Sequence, residues 1–119
     1  YSKNISILDL VSINPLDIKS ILNLAKMHKN IIILDIDHTF SGIASEISSL
    51  ISEKFKNKKI VKIGNLHTPA PVAENLEKIF YPSDKLILDK CCELLKLKKI
   101  NNLKEYNSKK NNYKFEGPY

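Results

Sequence analysis

Apolar residues along this chain recur with two different periods, and the switches between them predict the order of its elements. Ile5, Ile7, Leu8 and Leu10 form a short strand-like run, closed by Ser12-Ile13-Asn14-Pro15. Proline drives the residue before it out of the α region and suits the first turn of a helix, so Pro15 marks a helix entry. From Asp17 the residues Ile18, Ile21, Leu22 and Ala25 return at three and four, the mark of a helix with one buried stripe. Ile31-Ile32-Ile33-Leu34 is apolar on both faces, as expected of a central parallel strand covered by helices on each side. A polar turn is predicted from Asp35 to Gly42. Ile43, Ile47, Leu50, Ile51 and Phe55 then mark a second helix, with Ser45, Ser48, Ser49 and Ser52 on its other faces.

Lys59 to Ile63 alternates lysine with Ile60, Val61 and Ile63 and reads as another strand, nearer an edge. Gly64 to Pro71 reads as a loop, and Val72 to Phe80 as a short helix stopped by Tyr81-Pro82. Ser83 is a good N-cap for a last helix that would bury Leu86, Ile87, Cys91, Leu94 and Leu95. The order β-α-β-α-β-α-α, with helical crossovers, implies a three-layer α/β/α sandwich on a mostly parallel sheet. Residues 1–97 are expected to hold this domain. Residues 98–119, rich in Lys and Asn and poor in large apolar side chains, read as a basic, flexible tail.

Composition narrows the class without naming a function. A chain of 119 residues has room for one domain, and its 43% hydrophobic and 27% charged residues permit a real core. Its longest aliphatic run is too short to cross a bilayer, and its opening shows no secretory pattern. Because the chain opens on Tyr1 and leads at once into a strand-like run, a fragment or a processed product is expected. Cys91 and Cys92 are neighbours, which rarely bridge, so a reducing compartment is expected: the cytoplasm, or an organelle matrix in a eukaryote. The net charge of +6 is concentrated at one end: residues 1–97 hold 13 Lys against 11 acidic residues, and residues 98–119 hold six Lys against two Glu. There is no arginine, the usual bidentate reader of guanine and phosphate, so nucleic acid is a poor candidate partner.

Four constellations invite chemical readings. Asp35-Ile36-Asp37-His38-Thr39 ends a buried strand, where α/β enzymes place reacting groups. It looks like the first motif of haloacid-dehalogenase-type phosphatases, with Asp35 as nucleophile and Asp37 as acid/base. That mechanism also needs a later magnesium-binding acidic pair, which no later apolar strand supplies. The plainer reading is a polar turn whose carboxylates face the positive end of the next helix. His28, His38 and His67 have no metal-ligand spacing and suit hydrogen-bonded structural roles, although His38 and His67 both follow strands and can meet in space. Ser41-Gly42 before the second helix suits close packing of a turn more than anion binding. Thr68-Pro69-Ala70-Pro71 is a stiffened loop of the kind found at interfaces.

Taken in order, these pieces resemble the C-terminal transketolase-like domain of the beta subunit of thiamine-diphosphate-dependent 2-oxo acid dehydrogenases. Ile7-Leu8-Asp9-Leu10 with Pro15-Leu16-Asp17 is similar to the family's "DLRTLxPLD". Ile31 to Asp35, His38, Ser41-Gly42 and Glu46 are similar to "VVxEExHxxGGxGAE". Thr68-Pro69-Ala70-Pro71, Ala73, Leu76-Glu77 and Pro82 are similar to "TPxPxAxxLE…P". The resemblance spans about residues 1 to 97. It departs at Ile36, which replaces one of paired glutamates, and at Ser41 and Ala44, which replace glycines.

The resemblance implies a non-catalytic domain for dimerisation and assembly, with no catalytic, cofactor-binding or metal-binding residue of its own. The parent enzyme would decarboxylate pyruvate or a branched-chain 2-oxo acid with thiamine diphosphate and magnesium held elsewhere. Implied partners are alpha and beta subunits, a second copy of the domain and an acyltransferase core. The interface candidates are His38, Phe40, Gly42, Ile43, Thr68, Pro69, Pro71 and Val72. The family has a strand and a helix before Ile5 that this chain lacks, which implies a slot in the sheet or a repacking around it. Two alternatives stand beside this reading: a phosphatase acting through Asp35 and Asp37, and a binding module tethered by its basic tail to an acidic partner or nucleic acid.

Overall fold

The computed structural model describes residues 5–98. Its elements run α1 (Ile18–Met27), β1 (Asn30–His38), α2 (Ile43–Lys54), β2 (Lys59–Asn65), α3 (Glu74–Phe80) and α4 (Asp84–Leu95). Asp17 caps α1: its Oδ1 accepts the Ser20 N–H at 3.0 Å and its Oδ2 accepts the Ser20 hydroxyl at 2.6 Å. At the other end of that helix, Lys58 Nζ donates to the Lys26 and His28 carbonyls at 3.2 and 2.9 Å, a cation at the negative end of the helix. Ser83 caps α4 as its sequence position predicts, accepting the Leu86 N–H at 3.3 Å.

β1 and β2 pair in parallel, with Asn30 opposite Lys59 and Leu34 opposite Ile63. Alternate side chains of a strand take opposite faces. Ile31, Ile33 and Ile60 therefore pack with α1 and α2, whose Ile21, Ala25, Ile47 and Ile51 form the main core. The opposite face meets α4, to which Asn30 is tied by a hydrogen bond from its Nδ2 to the Leu94 carbonyl at 3.3 Å. Helices thus lie on both faces of a parallel sheet, in an α/β arrangement.

Four expectations need correction. Ile5 to Leu10 is extended but forms no strand, because among the described residues it has no hydrogen-bonded neighbour. For the same reason Ile31 to Leu34 is not central: β1 pairs only with β2, and its other edge is open among the described residues. Asp35 to His38 belongs to β1 and not to a turn, although the register slips between Leu34 and His38, where the strand is irregular. Along α4 the buried residues are Cys92 and Leu94, Ile87 and Cys91 are half-buried, and Leu86 and Leu95 are exposed. The helix forms as expected, but part of its apolar stripe faces an uncovered groove. The tail expected from residue 98 lies, apart from Lys98, outside the described residues.

Candidate functional site

The carboxyl ends of β1 and β2, with the loops that follow them, bring most of the singled-out residues together. His38 ends β1, and its ring centroid lies 5.2 Å from that of His67 in the loop after β2. Phe40 packs edge-on against the other side of His67 at 5.9 Å, and Phe80 from α3 meets His38 at 6.4 Å. Tyr81 extends the chain of contacts, its ring 5.0 Å from that of Phe80, so five rings form one continuous cluster. Its inner member, Phe80, is buried, while Phe40 is 72% exposed.

The turn between β1 and α2 is shaped by backbone contacts. A Cβ on Gly42 would overlap the carbonyl oxygen of His38, so only glycine permits this approach. Gly64 has the same relation to the carbonyl oxygen of Asp37. Ser41, beside Gly42, has φ of 59°, in the left-handed region where a side chain is disfavoured. Ser45 Oγ donates to the Thr39 carbonyl at 2.7 Å, and Lys62 Nζ reaches both that carbonyl and Ser45 Oγ at 2.8 Å. Asn65 Nδ2 donates to the Ile36 carbonyl, tying the ends of the two strands.

The two aspartates are turned toward their own backbone. Asp35 Oδ1 accepts the Ile36 N–H and Asp37 Oδ1 accepts the His38 N–H, each at 2.7 Å. Lys62, on the neighbouring strand, is occupied with Thr39 and Ser45. Among the described residues no group of three His, Cys, Asp or Glu side chains is placed to hold a metal ion. Asp35 Oδ2, His38 Nδ1 and Asn65 Oδ1 are buried without a hydrogen-bond partner, so the strand ends carry uncompensated polar atoms.

The interface candidates divide. Thr68, Pro69 and Val72 are exposed, Val72 completely, and Pro71 is half-buried. Thr68 closes its own loop through its N–H to the Leu66 carbonyl at 2.8 Å and its hydroxyl to the Pro69 carbonyl at 3.0 Å. Ile43 is half-buried and packs against the core cluster of Ile21, Ala25, Ile47 and Ile51. Exposed apolar residues beyond the candidates include Ile36, Leu66, Leu76 and Ile79. Leu76 and Ile79 stand one turn apart on α3, a spacing that marks a shared face in the sequence itself. His28 lies far from this cluster and has a structural bond, its Nε2 lying 2.9 Å from Ser6 Oγ.

A family profile described as the C-terminal domain of transketolase matches residues 2–87. Among curated proteins, the chain is 38% identical over 85 residues to a pyruvate dehydrogenase E1 component subunit beta from Gracilaria tenuistipitata var. liui, which covers 66% of this chain. It is 27% identical over 84 residues to the same subunit from Rickettsia bellii, covering 68% of this chain. It is 25% identical over 100 residues to the mitochondrial subunit from Chaetomium thermophilum, covering 82%. In each case the match spans 26% of the relative's own length, so the chain corresponds to about a quarter of those proteins. No solved structure matches the chain.

Proposed function

The chain belongs to the transketolase C-terminal-domain family, and from that membership we propose that it is a non-catalytic assembly domain of a pyruvate dehydrogenase E1 beta-like protein. One observation carries the reading: the loops after both strands present Phe40, Leu66 and Val72 to solvent around a cluster of packed rings. Apolar surface of this kind, held by a stiff loop and by glycine-locked turns, suits a contact with another subunit. A second copy of the domain is the partner proposed for it, within an enzyme of alpha and beta subunits. Docking to an acyltransferase core belongs to the same proposal.

In this reading the parent enzyme performs the oxidative decarboxylation of pyruvate or a branched-chain 2-oxo acid. Thiamine diphosphate would supply the carbanion-stabilising chemistry in that parent. The residues described here do not fit that cofactor or its magnesium ion. Asp35 and Asp37 each give one carboxylate oxygen to local backbone, and among the described residues no three His, Cys, Asp or Glu side chains are placed to hold a metal ion. No chemical step is therefore assigned to this domain. Among the described residues no helix is long and apolar enough to cross a membrane. One relative is mitochondrial by name, and an organelle matrix or cytoplasmic setting is part of the proposal.

Sedimentation velocity over a hundredfold concentration range tests the assembly role. A dimer that forms with rising concentration, persists without residues 98–119, and weakens at least tenfold in Phe40→Asp and in Val72→Asp is the expected result. A strict monomer, or a dimer indifferent to both substitutions, overturns it.

A further inference from the structure

Charge is divided unequally between the two ends of the sheet. At the amino edge β1 and β2 begin side by side, at Asn30 and Lys59, and α1 and α2 finish. Hydrogen bonds tie this edge together. Lys58 Nζ holds the Lys26 and His28 carbonyls, the Lys59 N–H donates to the Lys29 carbonyl at 2.9 Å, and Asn30 holds the end of α4 through Leu94. Lys26 and Lys29 lie here, with four lysines between Lys54 and Lys59 and with Lys96 and Lys98 after α4. Residues 5–98 contain 13 lysines and 11 acidic residues; this edge takes eight of the first and, in Glu53 and Glu93, two of the second. It is strongly positive, and the rest of the domain is net negative.

Helix dipoles account for part of this pattern. Lys26, Lys54, Lys58 and Lys96 stand at the carboxyl ends of helices, where a cation is stabilising. Lys29, Lys56, Lys59 and Lys98 lie outside helices and have no such role. Apolar side chains stand among the lysines as well. Lys26-Met27-His28-Lys29 and Lys96-Leu97-Lys98 each bracket an apolar residue, and Met27 is 75% and Leu97 42% exposed. A third bracket, Lys54-Phe55-Lys56, turns its ring onto the core beneath Lys58, whose Nζ lies 5.0 Å from the ring centroid.

We propose that the amino edge of the sheet is a docking face for an anionic lipid surface, on which the domain lies without crossing it. The ammonium groups meet phosphate headgroups as point charges, and Met27 and Leu97 enter the boundary between headgroups and acyl chains. A nucleic acid calls for arginine forks or exposed rings that stack on bases; the chain has no arginine, and Phe55 is turned inward. An acidic polypeptide would use the lysines and leave Met27 and Leu97 without a role. The nine residues of β1 place this face about 26 Å from the His38 end of the strand. It is separate from the Phe40 surface and does not depend on the assembly role proposed there.

Flotation of the full 119-residue chain with lipid vesicles tests the proposal. Vesicles of phosphatidylglycerol mixed with phosphatidylcholine are expected to carry the chain, and vesicles of phosphatidylcholine alone to leave it behind. In Lys29→Glu/Lys56→Glu/Lys98→Glu binding is expected to fall at least about fiftyfold, since each lysine near an anionic surface contributes about fivefold. In Met27→Gln/Leu97→Gln it is expected to fall severalfold, while binding to a polyglutamate peptide stays unchanged. All five positions are exposed, and melting curves that match the wild-type chain confirm that both variants fold. Undiminished flotation of the charge-reversed variant overturns the proposal and assigns the binding to the lysines of residues 99–119. Undiminished flotation of the Met27 and Leu97 variant overturns it in favour of an acidic polypeptide. Tighter binding to a DNA duplex than to the anionic vesicles overturns it in favour of nucleic acid.

Discussion

Ser41 and Gly42 are neighbours with opposite backbone demands. Ser41 has the left-handed φ, and Gly42 has an ordinary φ but no room for a Cβ. Ser41→Gly is expected to stabilise the domain by about 0.5–1 kcal/mol, since the left-handed region costs an L-residue about 1–2 kcal/mol and the extra freedom of unfolded glycine takes part of that back. Gly42→Ala is expected to destabilise by about 1–3 kcal/mol, because the obstructing atom is a backbone carbonyl that cannot rotate away. Urea denaturation of the two variants checks both signs. Gly42 was legible as a tight approach, since a lone glycine before an apolar helix has few other uses. Serine has no signature for positive φ, and only the glycine at that position in the family pattern pointed to the strain.

At the scale of elements, local chemistry and covering partners part company. The cap on α1 is local. The Ser20 hydroxyl and N–H hold the Asp17 carboxyl below its ordinary value of 3.8. A carboxyl whose folded value is depressed adds stability in full above its unfolded value, and that stability is lost as pH falls through the folded value. The wild-type chain is thus expected to lose the cap only below about pH 3.8, and Asp17→Asn to flatten that acid limb. Denaturation midpoints measured between pH 6 and pH 2.5 would show it, and an unchanged limb would remove Asp17 from the account. All four helices were legible, three from periodicity or a cap and α3 from the Tyr81-Pro82 stop that follows it. The unpaired state of Ile5 to Leu10 and the inner face of α4 were not, because each depends on a neighbour across the groove. A pattern of apolar residues states what ought to be covered and is silent about whether anything covers it.

For the molecule as a whole, the same distinction separates fold from site. The layer order followed from the alternation of periods, and the ring cluster followed only in part. His38 and His67 were placed after strands by their positions, whereas Phe80 and the outward stripe of Leu76 and Ile79 depend on how α3 docks. If the Phe40 surface joins two copies, folding and association are linked by mass action. The melting temperature is then expected to rise by about 3 °C for each tenfold increase in concentration, and to be flat in Phe40→Asp. Calorimetry over two decades of concentration distinguishes these outcomes. The open edge of β1 has a further consequence, for the life of the chain before it is assembled. β2 carries Lys59 and Lys62, charges of the kind that discourage edge-to-edge pairing, whereas Ile31-Ile32-Ile33-Leu34 has no such guard. Wherever its edge stays uncovered, that aliphatic run is a template for cross-β stacking, so the chain's solubility depends on what covers it.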